Sequence, residues 1–521
     1  MQLRQMCGIS LGWWVACCGV VACDGEANRR DTADTTETGA AAVDSDDAAV
    51  DDAAVDDFAV DSDDAAVGDA AVDTDDTTTT PTRPRVRFFV DESPHLEGGE
   101  VEATAARWGD PIRVVIDRMP AGTGAVVRSY SAAGASEAFF VADGEGVIDF
   151  ARDAPLDGDW TEADADAFLG TLRNPPDGFD PLVIVVVEID GVERARKTLD
   201  RHTIGQDVTV EYFAVGDKTG VFARPKTGGP FGAVMCFGRA ELGQFGAPNC
   251  ASYYAGLGYA AFGVRYFGTG SLPPSLDDVP LEILEGQLAL LLDQPEVAPG
   301  GVVVIGDARD GELALLLGAR FDAVSAVVAR LPSGYVWPGA ESLGAAWTWQ
   351  GEPVASLPWT DASPRTGRSS ENVVGAMTRS LYEDVLDDAT PEELAAATIP
   401  IEQIEGPVLL FGAEDDQVWP SCTLAEVAWK RLEGAHAQTW GDLFVCHPGA
   451  GHAAAALPGS TGIGSTWASV GNTKRVLGGT PGGNVRAQRA IDTATRALLD
   501  RVLGPGRIVP PSSAEGPPPI R

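Results

Sequence analysis

The sequence predicts an α/β chain: a parallel sheet covered by helices, preceded by a small all-β domain of immunoglobulin-like sandwich type and a disordered acidic tether. Three observations predict it. From about Asp207, short apolar runs of strand length alternate with segments of helical spacing, which implies a parallel sheet with both faces covered. From about Val86 to residue 205, β-rich runs are separated by Gly, Pro and Asp at sandwich-like spacing. Before them, Asp-Asp-Ala-Ala-Val recurs at Asp46–Val50, Asp51–Val55 and Asp63–Val67. Like charges repel there, and Ala and Val alone cannot bury enough surface to offset the entropy of ordering.

The 521 residues allow two to four domains at about 100–200 residues each. A 44% hydrophobic content supports a real core, while a formal net charge of −40 argues against nucleic acid as a partner. It equally disfavours an anionic lipid face. A polyanionic ligand such as coenzyme A would need a local cationic pocket against this field.

The first residues read as an export signal. Arg4 begins a positive region, Gly8 to Val21 is apolar but short for a membrane span, and Val20-Val21-Ala22-Cys23 resembles a bacterial lipobox. Residues 1–22 are then a lipoprotein signal peptide, and the Cys23 thiol takes the lipid. An ordinary signal peptide cut nearby is the alternative. Either implies an exported protein, periplasmic or at the cell surface, with Cys23 the only expected attachment to membrane. Residues 23–85 read as an extended acidic linker. The Asp pairs lack the glycine-turned, oxygen-rich loop of a calcium site.

Four later cysteines, Cys236, Cys250, Cys422 and Cys446, permit two disulfides in an oxidising compartment. The pairs nearest in sequence are Cys236–Cys250 and Cys422–Cys446, but connectivity stays open, and four buried thiols fit as well. No Cys/His spacing resembles a zinc site, and neither a metal nor a cofactor is expected.

Residues 86–205, the expected sandwich, hold the runs Val86–Val90, Ile112–Ile116, Ala125–Tyr130, Ala138–Val141 and Val183–Ile189. Residues 206–505 open with a hairpin from Val208–Phe213 and Gly220–Ala223. Strands follow at Ala233–Phe237, Ala260–Tyr266, Val302–Ile305, Val408–Phe411 and Leu443–Cys446. Helices are expected around Ala251–Leu257, over Leu281–Leu292, from Glu312 and over Arg486–Leu503. Residues 332 to 400 interrupt the alternation and carry Trp337, Trp347, Trp349 and Trp359, as a lid would. Residues 506–521 form a Pro-rich tail.

The chemistry-bearing turn lies between Val302–Ile305 and Glu312–Leu315 and reads Gly306-Asp307-Ala308-Arg309-Asp310-Gly311. In an α/β-hydrolase, small-x-nucleophile-x-small occupies such a strand-to-helix turn, because a bulky neighbour clashes in its strained backbone. Val408–Phe411 runs into a loop that places Asp416 to orient an imidazole. Leu443–Cys446 runs into a loop that places His452 as general base. Asp416 could instead cap the next helix and His452 could be an ordinary loop histidine. Their joint position at the ends of successive strands favours the remnant of a triad.

These residues carry a family resemblance. Over about residues 86 to 505 the chain resembles the acyl-CoA thioesterase and bile acid-CoA:amino acid N-acyltransferase family. The matching stretches are Trp108-Gly109-Asp110-Pro111-Ile112, Tyr259–Tyr266, Leu272-Pro273-Pro274, Pro280-Leu281-Glu282, Gln294-Pro295-Glu296-Val297, the elbow region, Gly478-Gly479-Thr480-Pro481, and Ala487-Gln488 with Asp492. The resemblance implies a sandwich followed by an α/β-hydrolase domain. It implies His452 as base, Asp416 as orienting acid, and Gly238, Arg239 and Arg309 in the oxyanion region. The nucleophile, serine or cysteine in the family, falls on Ala308, and a small position falls on Asp310. Asp310 is expected to crowd the elbow, so a serine at 308 alone is expected to restore little.

A methyl group cannot attack a thioester. The leading expectation is an exported thioesterase-like pseudoenzyme that binds an acyl or other apolar ligand. Two readings stay open beside it: an active ester or thioester hydrolase or acyltransferase with a relocated nucleophile, and a structural surface protein. Asp307, Asp310 and Cys236 are the candidates for relocation, and the first two fit the small-residue frame poorly.

Overall fold

A computed structural model of the chain describes residues 83–90, 101–107, 110, 112–131, 134–172, 182–202, 207–216, 218–238, 246–359, 363–436, 440–458, 460, 462–470 and 473–504, within one compact unit. Cys23, nearly all of the acidic stretch, most of Trp108–Pro111, Arg239 and the Pro-rich tail lie outside these residues.

Two sheets face each other in the first part of the chain. One joins Val101–Ala103, Arg85–Val90, Ile112–Asp117 and Ile148–Asp149. The other joins Ala105–Arg107, Val192–His202, Leu182–Ile189, Gly124–Ser131, Gly134–Val141 and Asp157–Gly158. Strand alternation sends Ser136, Ala138 and Phe140 inward and Glu137, Phe139 and Val141 outward. The core between the sheets is aromatic: Phe140 stacks on Phe150 at 4.9 Å, with Trp160 and Phe168 closing around Phe150. Val192–His202 is a strand the sequence did not announce. It pairs antiparallel with Leu182–Ile189, and among its described side chains only Leu199 and Arg201 are buried, so its sequence reads as polar.

The second part is built on one eight-stranded sheet. Its strands are β1 (Val208–Val215), β2 (Lys218–Pro225), β3 (Phe231–Phe237), β4 (Ala260–Val264), β5 (Val297–Asp307), β6 (Val324–Arg330), β7 (Val408–Ala413) and β8 (Leu443–His447). They lie in the order β1-β2-β4-β3-β5-β6-β7-β8. β1, β2 and β4 pair antiparallel, and every later neighbour pair is parallel.

Helices α1 (Ala247–Gly256), α2 (Leu281–Leu292), α3 (Arg309–Arg320), α4 (Arg379–Asp388), α5 (Pro391–Ala397), α6 (Ser421–Ala435) and α7 (Pro481–Leu503) supply the connections. Burial on both faces explains why the central strands are continuous apolar runs. Val302 and Val304 of β5 pack on one face with Leu284 and Leu288 of α2 and Leu313 and Leu317 of α3. Val303 and Ile305 pack on the other with Tyr254 of α1 and Leu498 of α7.

The interruption between β6 and β7 contributes α4, α5 and a hairpin, Arg365–Arg368 with Val374–Met377. Thr473–Val476 and Trp467–Val470 extend that hairpin into a four-stranded sheet. Two disulfides form, and both join the pairs nearest in sequence. Cys236–Cys250 ties β3 to α1, and Cys422–Cys446 ties the first turn of α6 to β8. Among the described residues, no helix is long and apolar enough to cross a membrane.

Candidate active site: an elbow without a nucleophile

Ala308 sits between β5 and α3 at φ 49° and ψ −114°. A side chain held in such a region costs roughly 1–3 kcal/mol and persists only where its surroundings enforce it. Here the Ala308 N–H donates to the Arg330 carbonyl at 2.8 Å, and the Ala308 carbonyl accepts from the Glu312 N–H at 3.0 Å. A Cβ on Gly306 would lie 2.0 Å from the Asp310 carbonyl oxygen, so the turn needs glycine there. The backbone is therefore that of a nucleophile elbow, carrying a methyl.

Asp310 does not open this turn, which corrects the expectation of crowding. Its side chain is buried, and its carboxylate accepts a 2.5 Å hydrogen bond from the Tyr266 hydroxyl just beyond β4. Asp307 is equally committed, to a buried ion pair with Arg330 on the neighbouring strand. Cys236 is in a disulfide. The three candidates for a relocated nucleophile are thus each engaged elsewhere.

The acid and base are assembled. His452 Nδ1 lies 2.9 Å from Asp416 Oδ2, both residues being buried. The other carboxylate oxygen accepts from the Val418 N–H at 2.9 Å and the Trp419 N–H at 3.3 Å. Asp416 is not a helix cap: α6 begins after Pro420 with no side-chain cap. A proton on Nδ1 shared with Asp416 leaves the Nε2 lone pair as the base.

Backbone bonds stitch the loops together. Leu331 donates to Phe411 at 2.7 Å, Glu414 to His447 at 3.1 Å and Asp415 to Ala450 at 2.9 Å. The segment entering α7 braces both loops. His452 N–H donates to Leu477 at 3.0 Å, Gly479 N–H to Asp415 Oδ2 at 2.9 Å and Gly451 N–H to Asn484 Oδ1 at 2.6 Å. Gly478 adopts φ 83°, and a Cβ there would meet the Asp415 carbonyl oxygen at 1.8 Å.

An apolar roof covers the elbow. Ala308 shares one buried cluster with Trp337, Leu381, Tyr382, Val385 and Trp419, against which Trp359 packs half-buried. Tyr382 makes edge contacts with Trp337 at 4.7 Å, Trp359 at 5.2 Å and Trp419 at 5.5 Å. The other two tryptophans of the interruption anchor it instead. Trp347 packs beside Tyr266 in the main core, and Trp349 packs on Phe321. Trp419, contributed by the acid loop, is a site residue that sequence reasoning missed.

The oxyanion region divides. The Gly238 carbonyl at the end of β3 accepts from the Gly246 N–H at 3.0 Å, while Arg239 lies outside the described residues. The Arg309 guanidinium donates to Glu312 at 2.9 Å and to the Trp337 and Pro338 carbonyls at 3.1 Å each. Glu312 also accepts from the Trp347 indole at 2.9 Å. Burial pushes the Glu312 carboxyl up to about 7, against the opposing pull of Arg309 and Trp347.

Strand order, elbow and histidine–carboxylate pair define an α/β-hydrolase-type domain behind a β-sandwich. Sequence comparison narrows the class. The family described as BAAT / Acyl-CoA thioester hydrolase C terminal matches residues 279–504. Human mitochondrial acyl-coenzyme A thioesterase 2 is 26% identical over 370 residues, 66% of this chain and 72% of its own length. Human acyl-coenzyme A thioesterase 1 is 26% identical over 66% of this chain and 82% of its own. The chain resembles the acyl-CoA thioesterase and N-acyltransferase family. An acylaminoacyl peptidase from Pyrococcus horikoshii overlays at a TM-score of 0.35 with 12% identity, covering 77% of this chain and 58% of its own, too loosely to compare sites.

Proposed function

We propose that this chain is an exported, lipid-anchored thioesterase-like protein that binds an acyl or other apolar ligand and does not hydrolyse it. The observation that carries the reading is a methyl group, Ala308, in a retained nucleophile elbow whose acid and base are assembled. Without a hydroxyl or thiol at 308 no acyl-enzyme forms there, and loss of one triad member leaves only weak residual catalysis. The roof of Trp337, Trp359, Tyr382 and Trp419 is chemistry that an apolar group would recognise. The charge fits the same reading, because the polyanionic coenzyme A would meet a chain of net charge −40.

The purified chain, offered p-nitrophenyl esters, acyl-CoA thioesters and a fluorophosphonate probe, is expected to turn over none above background and to take no label. Turnover that disappears on His452→Ala would sink the reading in favour of an active hydrolase.

A further inference from the structure

We infer that the nucleophile-free site abstracts protons: His452 removes a hydrogen α to the carbonyl of a neutral, apolar ligand, and Trp419 holds the carbonyl oxygen. The inference rests on the reading above that the roofed elbow takes an apolar ligand, and it gives that ligand a reactive group.

The first support is what the site kept. Loss of the nucleophile removed the attacking atom but not the base: His452 is still oriented by Asp416, and Asp416 is still held by two backbone N–H groups. With a methyl at 308, the Nε2 lone pair has no hydroxyl of that residue to activate. A poised imidazole beside an apolar cluster is suited to deprotonating a bound carbon acid. The elbow also keeps its strained backbone, and strain held without a nucleophile calls for another use of the site.

The second support is independent of the dyad. The Trp419 indole N–H is buried, the residue being 2% exposed, and has no hydrogen-bond partner. A buried donor without an acceptor is costly and calls for a partner. Trp419 belongs to the cluster that holds Ala308, and its backbone N–H is tied to Asp416, so this donor hangs from the acid loop itself. Arg309 Nε, buried at the elbow, is likewise without a partner. Both ask for an acceptor oxygen.

Charge selects which oxygen. Arg330 is offset by Asp307, His452 faces Asp416 and Asp310 adds a further carboxylate, while the Arg309 guanidinium is taken up by Glu312 and by the Trp337 and Pro338 carbonyls. A free carboxylate ligand meets no surplus cation, so a neutral carbonyl compound is the class the site accepts.

The step balances without a co-reactant. The α C–H bond breaks and its proton goes to Nε2. The electron pair forms the C=C of an enolate while the carbonyl π pair moves onto oxygen, where the N–H donors stabilise it. The proton returns to carbon and regenerates His452.

The test uses the full chain in D2O with phenylacetone and 2-decanone. Loss of α-hydrogen signal is followed by proton NMR, and binding by saturation transfer in the same samples. Exchange above the buffer rate is expected, falling to the buffer rate in His452→Gln and by roughly a hundredfold in Trp419→Phe, the scale of losing one oxyanion donor, with saturation transfer kept. His436→Gln is the control. His436 pairs with Asp442 at 2.9 Å beside the start of β7, the opposite end of the sheet from the elbow, and its loss should leave exchange unchanged. Saturation transfer with no exchange above buffer overturns proton abstraction and leaves apolar binding standing. Exchange that survives His452→Gln also overturns it. Neither signal with either ketone overturns both readings.

Discussion

Ala308 concentrates what is unusual at the residue scale. A positive φ on a residue with a Cβ is held by bonds to Arg330 and Glu312 and by the close approach of Gly306, and no nucleophile benefits from it. Glu312, four residues on, is the other outlier. It is fully buried between Arg309 and Trp347, and burial raises its carboxyl from 4.5 to about 7. Between those values the folded chain holds a proton that the unfolded chain has released, so stability declines as pH rises through that window. The decline from this group amounts to at most about 3 kcal/mol. Glu312→Gln should flatten the segment, as urea unfolding at a series of pH values would reveal. Equal pH dependence in both proteins would remove Glu312 as its source. Ala308, Asp416 and His452 were legible in sequence because the elbow, acid and base each follow a strand in a fixed order. Trp419 and the Tyr266–Asp310 bond were not. Each joins residues from distant loops, and neither has a local pattern to read.

Elements were legible wherever burial left a periodic mark. The central strands announced themselves as continuous apolar runs because both their faces are covered. Val192–His202 stayed hidden because it is solvated along most of its length. The pairing of the cysteines was open in sequence and is settled by topology: Gly412 of β7 lies opposite Cys446 of β8, and a Cβ on Gly412 would meet Cys422 Sγ at 2.7 Å. The Cys422–Cys446 bridge thus links the helix that follows the acid loop to the strand that precedes the base loop. Replacing both cysteines by serine should cost about 2–4 kcal/mol, from the freedom returned to the unfolded chain. Denaturant titration of the double variant measures this. An unchanged midpoint would mean that the loops are held without the bridge.

Among the described residues, the sandwich and the sheet domain meet at the scale of the whole molecule where the closing helix lies against the sandwich. Arg489 of α7 pairs with Asp164 and Asp166, and the Gly464 N–H donates to the Gly170 carbonyl at 2.5 Å. The same helix entry braces the acid and base loops through Gly479 and Asn484, so sandwich and site share one support. The proposed lipid anchor belongs to this scale as well. Full-length chain made in a bacterial host should partition into Triton X-114 detergent, and Cys23→Ala should move to the aqueous phase. Detergent partition unchanged by that substitution would remove Cys23 as the anchor. Beneath all of this is the claim that the site is a hydrolase elbow lacking only its nucleophilic atom, and fluorophosphonate labelling of Ala308→Ser tests it most directly. Because the backbone already holds the elbow shape and Asp310 turns away to Tyr266, the variant should take the label where the natural chain does not, and should lose it when His452→Ala is added. Labelling of the natural chain at another residue, or an Ala308→Ser variant that stays unlabelled while folded, would contradict the account.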